Sequence, residues 1–173
     1  MSRPTVRAVT DADLPAVAGI FAHYVRRSVA TFEEDPPSAA AWRRKRDEIA
    51  ARGLPFLVAE AGGQVAGYAY ATAWRDKPGY RHTAEDTVYV APDSTGHGLG
   101  RSLLEAVIEQ CARAGIRQLV AVVADTGIPA SLALHRACGF VEAGRLRAVG
   151  WKHGRWIDTV LMQRPLTADG AAS

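Results

Sequence analysis

The run Ser94-Thr95-Gly96-His97-Gly98-Leu99-Gly100-Arg101-Ser102 sets three glycines at alternate positions just ahead of an amphipathic segment. Where a strand hands over to a helix, the first backbone N–H groups lack intrahelical partners and sit at the positive end of the helix dipole. Such a loop can hold a phosphate or pyrophosphate. Two other phosphate loops are excluded. A Walker A loop needs Gly-Lys-Ser/Thr, which does not follow, and a dinucleotide fingerprint needs a further glycine where Leu103 stands, counting G-x-G-x-x-G from Gly98. The other groups able to do chemistry are the adjacent acids Glu85 and Asp86, the upstream cations Arg75, Lys77, Arg81 and His82, and His135. Carboxylates and imidazoles move protons near neutral pH, and arginine is shaped to grip a carboxylate or phosphate through two parallel hydrogen bonds. Cys111 and Cys138 have no second Cys at metal-ligand spacing, so both read as reduced thiols and no metal is expected. The basic run Arg43 to Arg46, followed by Asp47 and Glu48, reads as a solvated helix face.

These groups need a scaffold. Thr5 to Val9 reads as a short strand, and Thr10 with Asp13 forms a T-x-x-D capping box ahead of a helix bearing Leu14, Val17, Phe21 and Val25 on one face, ending near Ser28. A second helix is bounded by Ser38 and Gly53. Phe56 to Ala61 and Val65 to Trp74, separated by Gly62-Gly63-Gln64, read as an antiparallel hairpin. A loop from Arg75 to Thr83 leads past Glu85 into a strand at Thr87 to Val90, and the glycine loop opens a helix over Arg101 to Ala114. Leu119 to Ala124 has the continuous apolar run of a buried strand; Pro129 starts a short helix carrying His135 and stopping at Gly139. Phe140 to Val149 and Trp156 to Arg164 complete the strands.

A chain of 173 residues with 48% apolar content can build one core without disulfides or metal, so residues 1–166 are expected to form a single domain with 167–173 as a flexible tail. The net charge is only +3 and the basic residues are dispersed, which argues against a nucleic-acid partner. No apolar run reaches the roughly 18 residues of a membrane span, and the start of the chain lacks the apolar core of a signal peptide. The expectation is a cytoplasmic protein with no membrane partner.

Strand Thr87 to Val90, loop Gly96 to Gly100, strand Leu119 to Ala124, Ala130-Ser131-Leu132-Ala133-Leu134-His135 and Gly139-Phe140 occur in an order that resembles the GNAT superfamily of N-acetyltransferases over nearly the whole chain. In more detail the chain resembles the phosphinothricin and methionine sulfoximine N-acetyltransferase branch. The residues carrying that likeness are Thr31-Phe32, Gly67-Tyr68-Ala69, Glu85 ahead of Val88-Tyr89-Val90, Leu134-His135, and Lys152-His153-Gly154-Arg155-Trp156-Ile157-Asp158.

The resemblance implies an α/β (α+β) fold with a mixed, mostly antiparallel central sheet flanked by helices and splayed at the acyl-CoA site. It implies acetyl-CoA as co-substrate, no metal, and the α-amine of a small amino acid as acceptor. Glu85 would be the general base, and His135, where many members carry a tyrosine, a proton donor to the departing thiolate. Val88, Tyr89, Val90, Gly96, His97, Gly98, Leu99, Gly100, Arg101 and Ser131 would contact the cofactor. Phe32, Arg75, Lys77, Asp86 and Thr87 would join Glu85 around the acceptor. A homodimer is implied, with Lys152 to Asp158 at the contact. The chain departs from the superfamily at Thr95, usually Gln or Arg, and at Ile128, usually Asn, which removes polar contacts to the cofactor but leaves the loop's backbone donors. Another amine acceptor and a non-catalytic acetyl-CoA sensor stay open; Glu85 beside a cationic loop favours catalysis.

Overall fold

Among the described residues the alternating and helical patterns fold into seven strands hydrogen-bonded in the order β1-β2-β3-β4-β5-β7-β6. The computed structural model describes residues 4–166; the tail expected over 167–173 lies outside the described residues. The chain runs β1 (Thr5–Ala8), α1 (Leu14–Arg27), α2 (Ala39–Ala51), β2 (Phe56–Ala61), β3 (Gln64–Ala73), β4 (Thr83–Val90), α3 (Leu99–Arg113), β5 (Gln118–Ala124), α4 (Ala130–Ala137), β6 (Val141–Lys152) and β7 (Arg155–Pro165). No helix among the described residues is long and apolar enough to cross a membrane.

Most neighbouring strands are antiparallel, β4 with β5 being parallel. The sheet carries helices on both faces, which explains why β2 is apolar at every buried position rather than alternating. Leu57 and Ala59 face α3, packing with Leu103, Leu104, Val107 and Cys111; Phe56 and Val58 face α1 and α2, packing with Val17, Phe21, Trp42 and Ile49. Period two along the strand sorts these residues between two cores.

Strand ends shift by up to three residues elsewhere, but two boundaries that bear on the site differ from the sequence expectation. β4 begins at Thr83 rather than Thr87, so Glu85 and Asp86 lie inside the strand rather than before it. Acidic residues disfavour strands, but here β3 pairs on one side (Thr72 opposite Glu85) and β5 on the other (Glu85 opposite Val120), and the tertiary ladder overrides propensity. α3 likewise begins at Leu99 rather than Arg101.

One irregularity shapes the function. β4 and β5 pair only from Thr83–Gln118 to Asp86–Ala121. Beyond that point β4 stays with β3 as far as Val90, and β5 stays with β7 as far as Ala124. The sheet therefore opens in a V between Thr87–Val90 and Val122–Ala124, leaving mid-strand Val122 41% exposed.

The T-x-x-D box opens a 3-10 turn that runs into α1. The Asp13 carboxylate accepts from the Thr10 N–H (2.7 Å) and hydroxyl (2.8 Å) and from two Arg7 nitrogens (2.7 and 2.9 Å). The Arg7 hydrogen bonds and those from Thr10 outweigh burial and hold the carboxyl well below its ordinary range. A depressed acid contributes stability that is full above the unfolded pKa and is lost as pH falls through the folded value. Asp13→Ala is expected to lower Tm at pH 7 by about 2–4 °C, the size of losing one helix cap in a domain this large. The gap between variant and wild type should close progressively as pH falls below about 4. A gap constant with pH in thermal melts would contradict this account.

Candidate active site

The glycine loop follows β4 through a 3-10 turn at Pro92–Ser94. Gly98 (φ 78°) caps α3 in the left-handed region, and no side chain caps the helix. The first N–H groups of α3 are thus free of side-chain competition for an anion. Gly100 is small for a different reason. A Cβ there would come within 3.3 Å of Leu134 and 3.6 Å of Val90, so glycine lets the helix start press against both α4 and the open end of β4. Leu99 is buried and anchors the first turn, whereas His97 is exposed and lies off the cavity wall. The Arg101 side chain pairs with Glu105 (2.7 Å), and the Thr95 hydroxyl donates to the Pro92 carbonyl (3.1 Å).

A cavity of about 700 Å³ runs through the V. Strand alternation divides its wall. Glu85, Thr87 and Tyr89 belong to the α1/α2 face, where Tyr89 packs on Phe21 and Tyr24; Asp86 belongs to the α3/α4 face, where it meets His135. Thr87 to Val90 and Val122 to Ala124 line the passage between the faces, and their mutually facing edges have no strand partner among the described residues. Gly96, Gly98 to Arg101 and Ser131 line the α3/α4 entrance.

Glu85 is half-buried, and its pKa is raised by burial first and then by the charge of Asp86, while Arg75 and Lys45 oppose the rise. His135 is held at both ring nitrogens: Nδ1 lies 2.7 Å from the Ser131 carbonyl and Nε2 2.9 Å from Asp86 Oδ2. A carbonyl can only accept, so Nδ1 carries a proton, and a carboxylate likewise accepts from a protonated Nε2. Burial opposes the charged ring, but the Asp86 hydrogen bond and charge, with the Ser131 carbonyl, raise its pKa above the ordinary value. The other Asp86 oxygen, Oδ1, is buried and has no partner among the described residues.

The expected acceptor residues divide. Phe32 and Thr87 line the cavity on the side of Glu85, whereas Asp86, expected beside them, turns to the α3/α4 face because strand side chains alternate, and there it is engaged by His135. The Phe32 ring lies on Gly150 of β6, where a Cβ would overlap it, and buried Lys152 donates to the Thr31 carbonyl at 2.8 Å. Burial lowers the Lys152 pKa against the opposing charges of Glu34 and Glu33. Lys152 thus ties down the segment that carries Phe32, while Asp158 accepts from the Ala148 N–H (2.8 Å) and from Arg145 (3.1 Å) to hold a β6 bulge. The cationic loop behaves differently. Arg75 and Lys77 are both exposed and off the wall: the Arg75 guanidinium stacks 4.7 Å over Trp74, though its charge still acts on Glu85, and Lys77 caps an outward 3-10 turn at Pro78–Tyr80.

Among the wall residues that escaped the sequence reading are Tyr24, Tyr70 and Lys45. The Tyr24 hydroxyl donates to the Val90 carbonyl at 2.6 Å, securing the open end of β4. Lys45 belongs to the basic run expected to be solvated, yet it is partly buried and reaches the cavity. Its spacing held the clue, since it stands three residues after buried Trp42 and four before buried Ile49, on the inward stripe of α2.

Known proteins agree with this geometry. Residues 19–140 match the model of the Acetyltransferase (GNAT) family. The chain is 56% identical over 164 residues to a phosphinothricin N-acetyltransferase of Alcaligenes faecalis, covering 95% of this chain and 83% of that one. It is 40% identical over 160 residues to an L-methionine sulfoximine/L-methionine sulfone acetyltransferase of Pseudomonas aeruginosa, covering 92% of each. Among solved structures, a GNAT superfamily phosphinothricin acetyltransferase from Sinorhizobium meliloti in complex with AcCoA superposes with a TM-score of 0.93 at 42% identity, covering 99% of this chain and 93% of that one. With its split sheet, its uncapped helix start after β4 and these relatives along almost its full length, the chain belongs to the GNAT family of acetyltransferases.

Proposed function

We propose that the chain transfers the acetyl group of acetyl-CoA to the α-amine of a small amino acid, with L-phosphinothricin and L-methionine sulfoximine as leading acceptors. One observation carries the reading: the cavity through the β4–β5 split joins an anion-holding helix start on one face to a half-buried carboxylate on the other. The relatives named for those two acceptors support the choice.

Bound acetyl-CoA supplies a thioester carbonyl. The N–H groups at the start of α3 suit its pyrophosphate, and the unpaired edges of Thr87–Val90 and Val122–Ala124 offer backbone partners to the arm that reaches into the split. N–H groups on the open β4 edge can also polarise the carbonyl. Glu85, on the acceptor face, takes the proton that the attacking amine must lose; its raised pKa brings it nearer the operating pH, where a general base works best. Asp86 favours the protonated form of His135 on the opposite wall, which suits a proton donor to the leaving thiolate once Nε2–H parts from Asp86. Exposed Trp151 and Trp156, paired across β6 and β7 with centroids 5.0 Å apart, together with Val149 and Leu146, present the apolar face on which a homodimer contact would rest.

An acetyl-CoA-dependent screen of free amino acids, polyamines, simple alkylamines and aminoglycosides, read by product mass, tests the reading. The expected product is the α-N-acetyl amino acid, with alkylamines poor acceptors. A polyamine much faster than either amino acid would overturn the acceptor. Acetyl-CoA binding without transfer to any amine would make the chain a sensor.

A further inference from the structure

We propose that Lys45, together with the Tyr70 hydroxyl, binds an anionic oxygen of the acceptor and so selects amino acids over plain amines. The inference rests on the amino-acid reading given above and names the residue that performs the selection.

Of the cations on the cavity wall, Arg101 belongs to the phosphate loop and His135 to the α3/α4 face, where Asp86 already engages it. On the acceptor face, among the described residues, Lys45 is the remaining one. Its stem is held in place: the ammonium lies 5.8 Å from the Trp42 ring centroid and 5.1 Å from that of Tyr70, and it donates to the Tyr70 hydroxyl at 3.2 Å. That bond uses a lone pair of the hydroxyl and leaves its proton free to donate. Two donors therefore converge from neighbouring elements, one charged and one neutral. No carboxylate closes an ion pair with Lys45 among the described residues, unlike Arg7, Arg46, Arg101 and Arg145.

Register places the pair beside the base. Tyr70 stands opposite Thr87 on β4, and Thr72 opposite Glu85, so Tyr70 is the diagonal neighbour of Glu85 on the same face, a Cα spacing of about 7–8 Å. A small amino acid can span that gap with its amine at Glu85 and an acidic group at Lys45. Arg75 and Lys77 lie off the wall and act on the acceptor at most through their field. A plain alkylamine has no anionic oxygen to offer Lys45 and Tyr70 and forgoes that contact.

The test uses Lys45→Met, which keeps the stem packed on Trp42 and Tyr70, and Lys45→Arg, which restores the charge. Steady-state kinetics are measured with phosphinothricin, with methionine sulfone and with 3-aminopropylphosphinate. The first carries carboxylate and phosphinate, the second only the carboxylate, and the third only the phosphinate. Lys45→Met should raise KM for phosphinothricin about 10- to 100-fold with acetyl-CoA KM and kcat near wild type, and Lys45→Arg should recover much of the loss. A parallel rise for methionine sulfone assigns the carboxylate to Lys45; a parallel rise for 3-aminopropylphosphinate alone assigns the phosphinate. An unchanged acceptor KM overturns the inference. So does a fall in kcat with a displaced pH profile and unchanged KM, because Lys45 would then act only through Glu85. A wild-type chain that acetylates no amino acid overturns the proposed function itself, a failure visible before any variant is made.

Discussion

Replacing Glu85 with Gln should lower kcat by about 10²- to 10⁴-fold while acetyl-CoA affinity stays within about twofold of wild type. The carboxylate sits on the α1/α2 face of β4, across the sheet from the helix start proposed to hold the cofactor, so the substitution removes a proton acceptor and no cofactor contact. The amide keeps the side-chain shape but cannot take the proton. Two controls separate lost chemistry from lost fold. First, the acid limb that Glu85 imposes on kcat/KM should lie above the usual glutamate value of about 4.3, because burial and the charge of Asp86 raise its pKa, and that limb should vanish in the variant. Second, an acid whose folded pKa lies above its unfolded value contributes stability below the unfolded pKa and loses it as pH rises through the folded one. At neutral pH the ionised Glu85 is therefore a cost, and Glu85→Gln should melt no lower than wild type. Near-normal turnover in the variant would remove Glu85 from the mechanism.

Gly98→Val should weaken acetyl-CoA binding about 10- to 100-fold or more, measured by titration calorimetry. The cause is conformational. A Cβ built at Gly98 meets nothing within 4 Å, so the site has room, but φ is 78°, a region that a β-branched residue adopts only at a cost of about 1–3 kcal/mol. Relief of that strain moves the N-cap and with it the N–H groups at the start of α3, whose common direction makes the anion site. Gly98→Ala, less bulky and unbranched, should fall between the variant and wild type. The strain itself should lower Tm by a few degrees in both. If folded Gly98→Val bound acetyl-CoA as wild type does, the cofactor's phosphates would have to be held elsewhere than on this loop.

Much of the scaffold was legible because the signals were local. The Ser38 cap, whose hydroxyl accepts from the Ala41 N–H, the hairpin at Gly62-Gly63 and the stop at Gly139 each depend on a few adjacent residues whose backbone preferences are intrinsic. The glycine loop was legible for the same reason: alternate glycines before an amphipathic run restrict what the backbone there can do. Starting β4 at Thr87 fell short because the ladder that holds Glu85 and Asp86 in a strand comes from β3 and β5, both distant in sequence.

What the chain's residues determined by themselves was the set of elements, the helix start able to hold an anion, and the acids, cations and imidazole available for chemistry. Which of them share a space was decided by tertiary structure. Neighbours Glu85 and Asp86 end on opposite faces because strand side chains alternate, one toward the acceptor and the other onto His135, which lies 49 residues along the chain. Arg75 and Lys77, adjacent to the site in sequence, turn outward on the Pro78–Tyr80 turn, while Lys45, far upstream in a run that looked solvated, is carried to the wall on the inward stripe of α2. The split itself arises from pairing between strands, since β4 and β5 part at Asp86 and Ala121 when each keeps a different partner, and no stretch of sequence contains both halves of that choice.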